Sequence, residues 1–309
     1  MTRRFTAHPE HASPTAPVRP RSHHTTRNED WDGADASIIT SKGNHWLKAF
    51  RAGLQGSGPA ANEPIAVEGP KLIDDALRAG LEAEALLVSE SGEPAAQRIL
   101  LAASATEYGI SPSRILRTTD KLFAAGAGTE TPQGVAALFR QPSTDFDRIL
   151  GDGVLTLVVV LVGVQDPGNV GTAIRSAEAF GATGAIAARG TADPWSPKAV
   201  RASAGSALRL PTLRGLSIPV LLSQLRASKV SIVAATSDGA VSDRAGAYLL
   251  GPAAIFIGSE GSGLPAEVIK TADATMAIPM TGRVESLNAG VAASVLLYET
   301  ARQRSAARA

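Results

Sequence analysis

Val154-Leu-Thr-Leu-Val-Val-Val-Leu-Val-Gly163 is almost uninterrupted in Val and Leu, and it runs directly into Val164-Gln-Asp-Pro-Gly-Asn-Val-Gly-Thr-Ala-Ile-Arg175. An apolar run without alternation, rich in β-branched residues, predicts a strand buried on both faces of a parallel sheet. Asp166-Pro-Gly is turn chemistry and Asn169 suits a helix N-cap, so the stretch reads as strand, turn, helix. Parallel strands need long crossovers, usually helical, and the pattern repeats downstream. Further strands are predicted at Ala185–Ala188, Ser231–Ala235, Ala253–Ile257 and Thr275–Ile278, with helices at Val170–Phe180, Pro197–Ala207, Pro219–Ala227, Pro265–Ala272 and Asn288–Gln303. This alternation predicts an α/β layer sandwich with helices on both faces of the sheet, over residues 154–309.

Upstream, helices are predicted at Asn44–Leu54, Pro70–Arg78 and Pro94–Ala105, with a short one capped by Asp120. Strands are predicted at Ile65–Val67, Ala85–Val88, Ile115–Arg117 and Gly134–Phe139. Residues 39–141 therefore form a small α/β domain, and Gln141 to Gly153 read as a polar connector. Residues 1–38 are rich in Pro, Ser, Thr and Arg, carry His8, His11, His23 and His24, and show no apolar periodicity. They read as a disordered tail.

A chain of 309 residues accommodates two domains and a tail. The absence of cysteine excludes disulfides, iron–sulfur clusters and thiolate zinc sites, and no metal is expected. No apolar run follows Met1 as a secretion signal requires, and none approaches the length of a membrane helix, so a soluble cytoplasmic protein is expected, with no membrane partner. Net charge is 0 over residues 1–38, −1 over 39–141 and +2 over 142–309, so charge alone identifies no polyanion-binding segment. No Gly-x-Gly-x-x-Gly follows a strand and no phosphate-loop Gly-Lys-Ser/Thr occurs, which removes dehydrogenase and nucleotide-hydrolase readings.

Three Gly-bearing loops each leave a predicted strand for a predicted helix, where parallel α/β sheets present backbone groups to ligands. The first is 164–175; the others are Ile257-Gly-Ser-Glu-Gly-Ser-Gly-Leu264 and Ile278-Pro-Met-Thr-Gly-Arg-Val-Glu-Ser-Leu-Asn288. Gly171 allows another backbone to come close. Arg175 either projects toward the start of its helix, or snorkels to solvent or pairs with Glu178 or Glu260. Glu260 lies at the carboxyl end of a strand, in the ligand crevice or as a solvated turn residue, and Ser286 also suits the N-cap of the last helix. In Ser196-Pro-Lys-Ala-Val-Arg201, Lys198 and Arg201 either meet RNA phosphate or form a solvated helix face.

Taken in order, Asn-x-Gly-x-x-x-Arg, Gly-Ser-Glu-x-x-Gly-Leu and Ile-Pro-Met-x-Gly-x-x-Glu-Ser-Leu-Asn resemble the three motifs of the SpoU (TrmH-type) branch of the SPOUT RNA methyltransferases. The resemblance covers roughly residues 39–305. It implies an S-adenosylmethionine-dependent RNA ribose 2′-O-methyltransferase, with ribosomal RNA favoured over transfer RNA, working as a homodimer. A non-catalytic RNA-binding or assembly protein on the same fold is the alternative from another class. The landmarks Ile39-Thr-Ser-Lys-Gly-Asn-His-Trp-Leu-Lys48, Val67-Glu-Gly-Pro-Lys-Leu72 and Thr131-Pro-Gln-Gly-Val135 look like the ribosomal-protein-like RNA-binding domain preceding the catalytic domain in many family members. The resemblance also implies a C-terminal trefoil knot over roughly residues 253–303, which no sequence pattern discloses.

By family position, Gly258, Ile278 and Leu287 correspond to residues that line the cofactor, and Ser286 and Asn288 to a polar pair near the reacting centre. Asn169 and Glu260 fall within the motif loops of that centre. Arg175 corresponds to the arginine linked to activation of the 2′ hydroxyl. A guanidinium rarely gives up its proton, so its chemistry is better suited to binding the adjacent phosphate and stabilising the developing alkoxide. Ala289-Gly290 stand where a Val-Ser pair is common in the family, a change expected to affect helix packing.

Overall fold

The computed structural model describes residues 38–104, 110–151, 153–237, 247–280, 283 and 286–308. The predicted tail, with its four histidines, lies outside the described residues apart from Ile38, as do positions 281, 282, 284 and 285 of the third motif.

Two sheets form the frame. The first has the order β1-β4-β3-β5-β2, built from β1 (Ile38–Ile39), β2 (Ile65–Glu68), β3 (Ala83–Ser89), β4 (Ile115–Thr118) and β5 (Val135–Phe139). Strand β5 runs antiparallel to β2 and β3, whereas β4 is parallel to β1 and β3. Alternation along these strands sorts their side chains to two faces. Val67, Leu86, Val88, Ala137 and Phe139 pack with α2 (Pro70–Arg78) and α3 (Glu93–Ser104). Ala66, Ala85, Leu87, Ala136 and Leu138 pack with α1 (His45–Gln55) and α4 (Asp120–Ala124).

The second sheet is wholly parallel, with the order β11-β9-β10-β6-β7-β8. Its strands are β6 (Leu157–Leu161), β7 (Gly184–Ala188), β8 (Thr212–Leu216), β9 (Ser231–Ala235), β10 (Ala253–Ile257) and β11 (Ala274–Met276). Both faces are covered, as the Val- and Leu-rich run of β6 requires. Leu157, Val159, Leu161, Ile255 and Ile257 face α6 (Pro167–Ala179), α7 (Pro197–Ala202), α8 (Ser206–Arg209) and α11 (Ala289–Ala306). Val158, Val160, Ile232, Ala254 and Phe256 face α5 (Phe146–Leu150), α9 (Ile218–Ala227) and α10 (Ala266–Thr271).

Several local expectations are corrected. The polar connector contains helix α5, capped by Asp145, and its Ile149 is fully buried against Gly184. Gln141 is not a loose end either: its amide donates to the Ala60 and Glu63 carbonyls and accepts from Arg214. The helix predicted over Pro197–Ala207 breaks into α7 and α8 at Ala204 and Gly205, whose φ angles of +48 and +83 are both left-handed, a conformation that suits glycine at the second position. Thr119, rather than Asp120, caps α4.

At the chain's end, Arg304 is 9% exposed and its guanidinium donates to the carbonyls of Leu249, Leu155, Thr156 and Gly251 at 2.6–3.3 Å. Burial depresses its pKa. No carboxylate offsets that burial among the described ion pairs; the charge is solvated by peptide dipoles, which fasten the last helix to the segments leading into β6 and β10.

Candidate active site

Asp166, one residue before Pro167, caps α6 by accepting from Gly168 N–H. The helix therefore starts three residues earlier than predicted, and Asn169 lies in its first turn rather than at the cap. That frees its side chain. Asn169 Nδ2 donates to Glu260 Oε1, and Asn169 Oδ1 accepts from Asn288 Nδ2 at 2.7 Å. Glu260 Oε1 also accepts the Ala289 N–H at 3.4 Å. Three loops separated by about 120 residues of chain thus meet through three side chains.

The N-cap of α11 is Asn288, whose Oδ1 accepts from Gly290 and Val291 N–H, so the N-cap role expected of Ser286 is corrected. Ser286 is instead exposed, on the rim of the cavity described below. Gly290 does govern packing: a Cβ there would stand 3.1 Å from the Asn169 carbonyl and 3.0 Å from Thr172 Cβ. Farther along, the Ser176 and Ser294 hydroxyls bond at 2.6 Å and join α6 to α11.

Gly171 meets the close backbone expected of it. A Cβ at that position would lie 2.4 Å from the Ala199 carbonyl oxygen, so α7 packs directly on α6. Ser196 caps α7, and Lys198 Nζ donates to Asp166 Oδ1 at 2.6 Å. The Lys198 ammonium, helped by the Gly168 N–H, holds the Asp166 carboxyl below the usual carboxylate range. Lys198 is thereby engaged at the entrance of the first loop.

Arg175 is exposed on α6, six residues beyond Asn169 and so about 9 Å farther along the helix axis. Neither rival partner holds it. Glu178 makes a two-point contact with Arg209 at 2.8 and 2.7 Å, and Glu260 is occupied by Asn169. Arg175 has no ion pair among the described residues, which leaves its guanidinium open to a ligand.

Beside the three-loop junction lies a cavity of about 540 Å³. Gly258, Glu260, Ile278, Ser286 and Leu287 line it, whereas Asn169, Asn288 and Arg175 stand outside its wall. A Cβ at Gly258 would fall 2.3 Å from the Gly263 carbonyl carbon, so only glycine lets the loop fold back on itself here. The third wall was not anticipated. It comes from the carboxyl end of β9, where Ala235, Thr236 and Ser237 face the cavity, and Thr236 Oγ1 is buried without a hydrogen-bond partner among the described residues. Its position immediately after a predicted strand was the available signal. Ile278, Met280, Leu287, Ala292 and Leu296 supply apolar surface.

The volume suits a ligand of drug or nucleoside size. Apolar walls, folded-back backbone and a buried hydroxyl fit the adenosine and the aliphatic arm of S-adenosylmethionine. No group of three or more His, Asp or Glu side chains that could hold a metal occurs among the described residues.

The chain resembles known proteins along most of its length. Residues 156–298 match the SpoU rRNA methylase family, and residues 61–137 match an MRM3-like substrate-binding domain. The chain is 31% identical over 237 residues to the 23S rRNA (guanosine(2553)-2′-O)-methyltransferase RlmP of Bacillus subtilis, covering 75% of this chain and 86% of that one. It is 34% identical over 204 residues to a 23S rRNA (uridine(2479)-2′-O)-methyltransferase of Streptomyces viridochromogenes, covering 64% and 70%. The crystal structure of an AdoMet-bound rRNA methyltransferase from Sinorhizobium meliloti superposes with a TM-score of 0.72 at 30% identity, covering 86% of this chain and 97% of that one. A parallel sheet with three motif loops converging beside one cavity, and relatives at least 30% identical that align over 70–97% of their length, place this chain in the SpoU rRNA methylase family.

Proposed function

We propose that the protein transfers a methyl group from S-adenosylmethionine to a ribose 2′ hydroxyl of ribosomal RNA. The observation that carries this reading is the Asn169–Glu260–Asn288 junction, which fixes the first loop, with Arg175 behind it, against the cavity. When bound, S-adenosylmethionine supplies an electrophilic methyl on a sulfonium. The chain's own part is positional: Gly258, Ile278 and Leu287 hold the adenosine end, and Ser286 and Asn288 stand at the edge facing the acceptor. Arg175 binds the phosphate next to the target ribose and stabilises the oxygen as it loses its proton. That proton leaves to water or another group, because a guanidinium does not release its own at neutral pH. Alignment of this kind removes on the order of 7–11 kcal/mol of barrier in the best cases.

The remaining parts of the reading rest on particular supports. Residues 39–141 hold the RNA, in keeping with the substrate-binding match, and 154–309 form the catalytic domain with a trefoil knot over roughly 253–303. Two copies pair through α11, where Val291, Val295 and Tyr298 are 44, 39 and 52% exposed at helical spacing. Lys198 and Arg201 meet RNA. The protein works in the cytoplasm, the place of a ribosomal RNA substrate. Separately, no described helix is long and apolar enough to cross a membrane.

The test is incubation with methyl-labelled S-adenosylmethionine and separated ribosomal and transfer RNA from cells lacking the gene, followed by digestion to nucleosides. Label on a 2′-O-methylnucleoside from the ribosomal fraction is expected. Label confined to transfer RNA would replace the substrate, and neither label nor cofactor binding would replace the enzyme by an RNA-binding protein.

A further inference from the structure

Away from the cavity at the three-loop junction, a second cleft of about 290 Å³ opens between the end of β2 and helix α7. Glu68, Lys71, Thr131 and Gln133 line it from the N-terminal half, and Arg201 of α7 closes it from the other. Its floor is rigid. Glu68 is 8% exposed, and its oxygens accept from the Gly128 N–H at 2.8 Å and from the Thr129 hydroxyl, so the loop before β5 is pinned to the end of β2. Gly128 lies so close to Leu54 that a Cβ would stand 2.4 Å from its carbonyl oxygen and 3.5 Å from Arg201 Nη1. The Arg201 guanidinium therefore rests beside the pinned loop.

Its charge is uncommitted. Lys198 is paired with Asp166, Arg209 with Glu178 and Asp75, and Arg214 with Asp193, whereas Arg201 has no hydrogen bond or ion pair among the described residues. Arg201 is three residues beyond Lys198, about 4.5 Å along the same helix. Helix α7 thus leads from the entrance of the first motif loop to the cleft.

The cleft is too small for a duplex, and Leu72 gives its polar groups an apolar neighbour against which a base can lie. Its side chains combine an unpaired guanidinium with an amide and hydroxyls, the groups that read an unstacked RNA nucleotide at its phosphate and base edge. The one carboxylate present, Glu68, is already occupied by its own loop. We propose that this cleft holds a single unpaired nucleotide flanking the methylated one, its phosphate on Arg201 and its base edge on Thr131 and Gln133. The inference rests on the RNA methyltransferase reading above.

The experiment uses the full chain and unmodified ribosomal RNA transcribed in vitro. Filter binding is measured for wild type, Arg201→Ala, Arg201→Lys and Gln133→Ala over a range of salt, with S-adenosylmethionine affinity followed by calorimetry. Arg201→Ala is expected to weaken RNA binding about tenfold and to lower the salt slope by about 0.7, with cofactor affinity unchanged and Arg201→Lys retaining the slope. Gln133→Ala is expected to weaken binding several-fold at unchanged slope. A 4-thiouridine-substituted transcript should crosslink to the peptide spanning residues 129–133. Wild-type binding in Arg201→Ala and Gln133→Ala together, with no such crosslink, overturns the inference while leaving the methyltransferase reading intact. A wild-type protein that binds cofactor but neither retains nor methylates RNA overturns both.

Discussion

The side-chain amide of Asn288 donates to Oδ1 of Asn169 at 2.7 Å, closing a contact between residues 119 apart in the chain. The same Asn288 uses its Oδ1 to cap α11. One side chain thus starts the last helix and fixes the first motif loop, and its two roles are separable by substitution. Asn288→Ala loses both and is expected to cost about 1–2 kcal/mol of stability, chiefly the cap, together with methyl transfer. Asn288→Asp keeps the capping acceptor but cannot donate to Asn169. It should melt within a few degrees of wild type and still lose most of kcat, as thermal unfolding and single-turnover assays would show; full activity in Asn288→Asp would remove the contact from the mechanism.

Arg175 stands open on α6 with its rival carboxylates engaged elsewhere. Arg175→Ala is expected to abolish transfer, by at least a hundredfold, at nearly unchanged S-adenosylmethionine affinity and melting temperature. Arg175→Lys should recover little, because a point charge does not reproduce the planar fork. Retention of full activity in Arg175→Ala would assign the phosphate to another cation.

In the wall of the cavity, the buried Thr236 hydroxyl lacks a partner among the described residues. Leaving such a group unsatisfied costs about 1–3 kcal/mol, which a ligand with a polar edge relieves. Thr236→Val should therefore weaken S-adenosylmethionine about fivefold and raise the melting temperature of the free protein, while Thr236→Ser binds as wild type. Calorimetry and thermal melts read both signs, and unchanged cofactor affinity in Thr236→Val would separate the hydroxyl from the ligand.

Most of this architecture was legible from pattern, and the errors share a physical origin. Strands such as Ser231–Ala235 and Ala253–Ile257 were placed to the residue because they are continuous apolar runs ended by polar or Gly-bearing loops. Strand β8 was not foreseen, because Thr212–Leu216 lies at the sheet edge, carries Arg214 and Gly215 and has a mixed burial pattern. Helix starts slipped wherever two capping residues stood close together: Asp166 before Asn169, Thr119 before Asp120, Asn288 after Ser286. Local chemistry makes each of these acceptable, and only tertiary packing chooses. In the site, glycines and motif polar residues were visible as sequence. The wall from β9 was not, because a small-residue strand end such as Ala235-Thr236 gains meaning only when β10 and β11 are seen beside it.

Arg304 holds four carbonyls, so its removal leaves buried acceptors unsatisfied rather than merely deleting one contact. Arg304→Ala is expected to destabilise by about 3 kcal/mol, and Arg304→Lys by somewhat less, since an ammonium reaches fewer of the acceptors. Chemical denaturation with both variants measures this. A loss under about 0.5 kcal/mol in Arg304→Ala would mean that the helix end is held by its apolar face alone.

Acid should loosen the same helix. Arg302, followed by Gln303, bonds the Glu299 carboxylate and holds its pKa at about 2. Because the folded value lies below that of an unfolded glutamate, about 4.3, this contribution is fully present above that pH and fades as pH falls toward 2. The melting-temperature difference between wild type and Arg302→Ala should therefore shrink over that window; a difference that stays constant down to pH 2 would mean that the pair contributes nothing. The contact is largely exposed, so the whole effect is small.

Ala292 and Leu296 line the cavity from α11, whereas the sheet strands and two of the three motif loops lie upstream in the chain. Release of α11 alone would leave the strands and Arg175 in place yet turn the pocket into an open trough. Local opening is cheaper than global unfolding. Fraying of this one helix would therefore empty the cavity in a protein that is still folded, and the docking of α11 on α6 sets how long a ligand can stay.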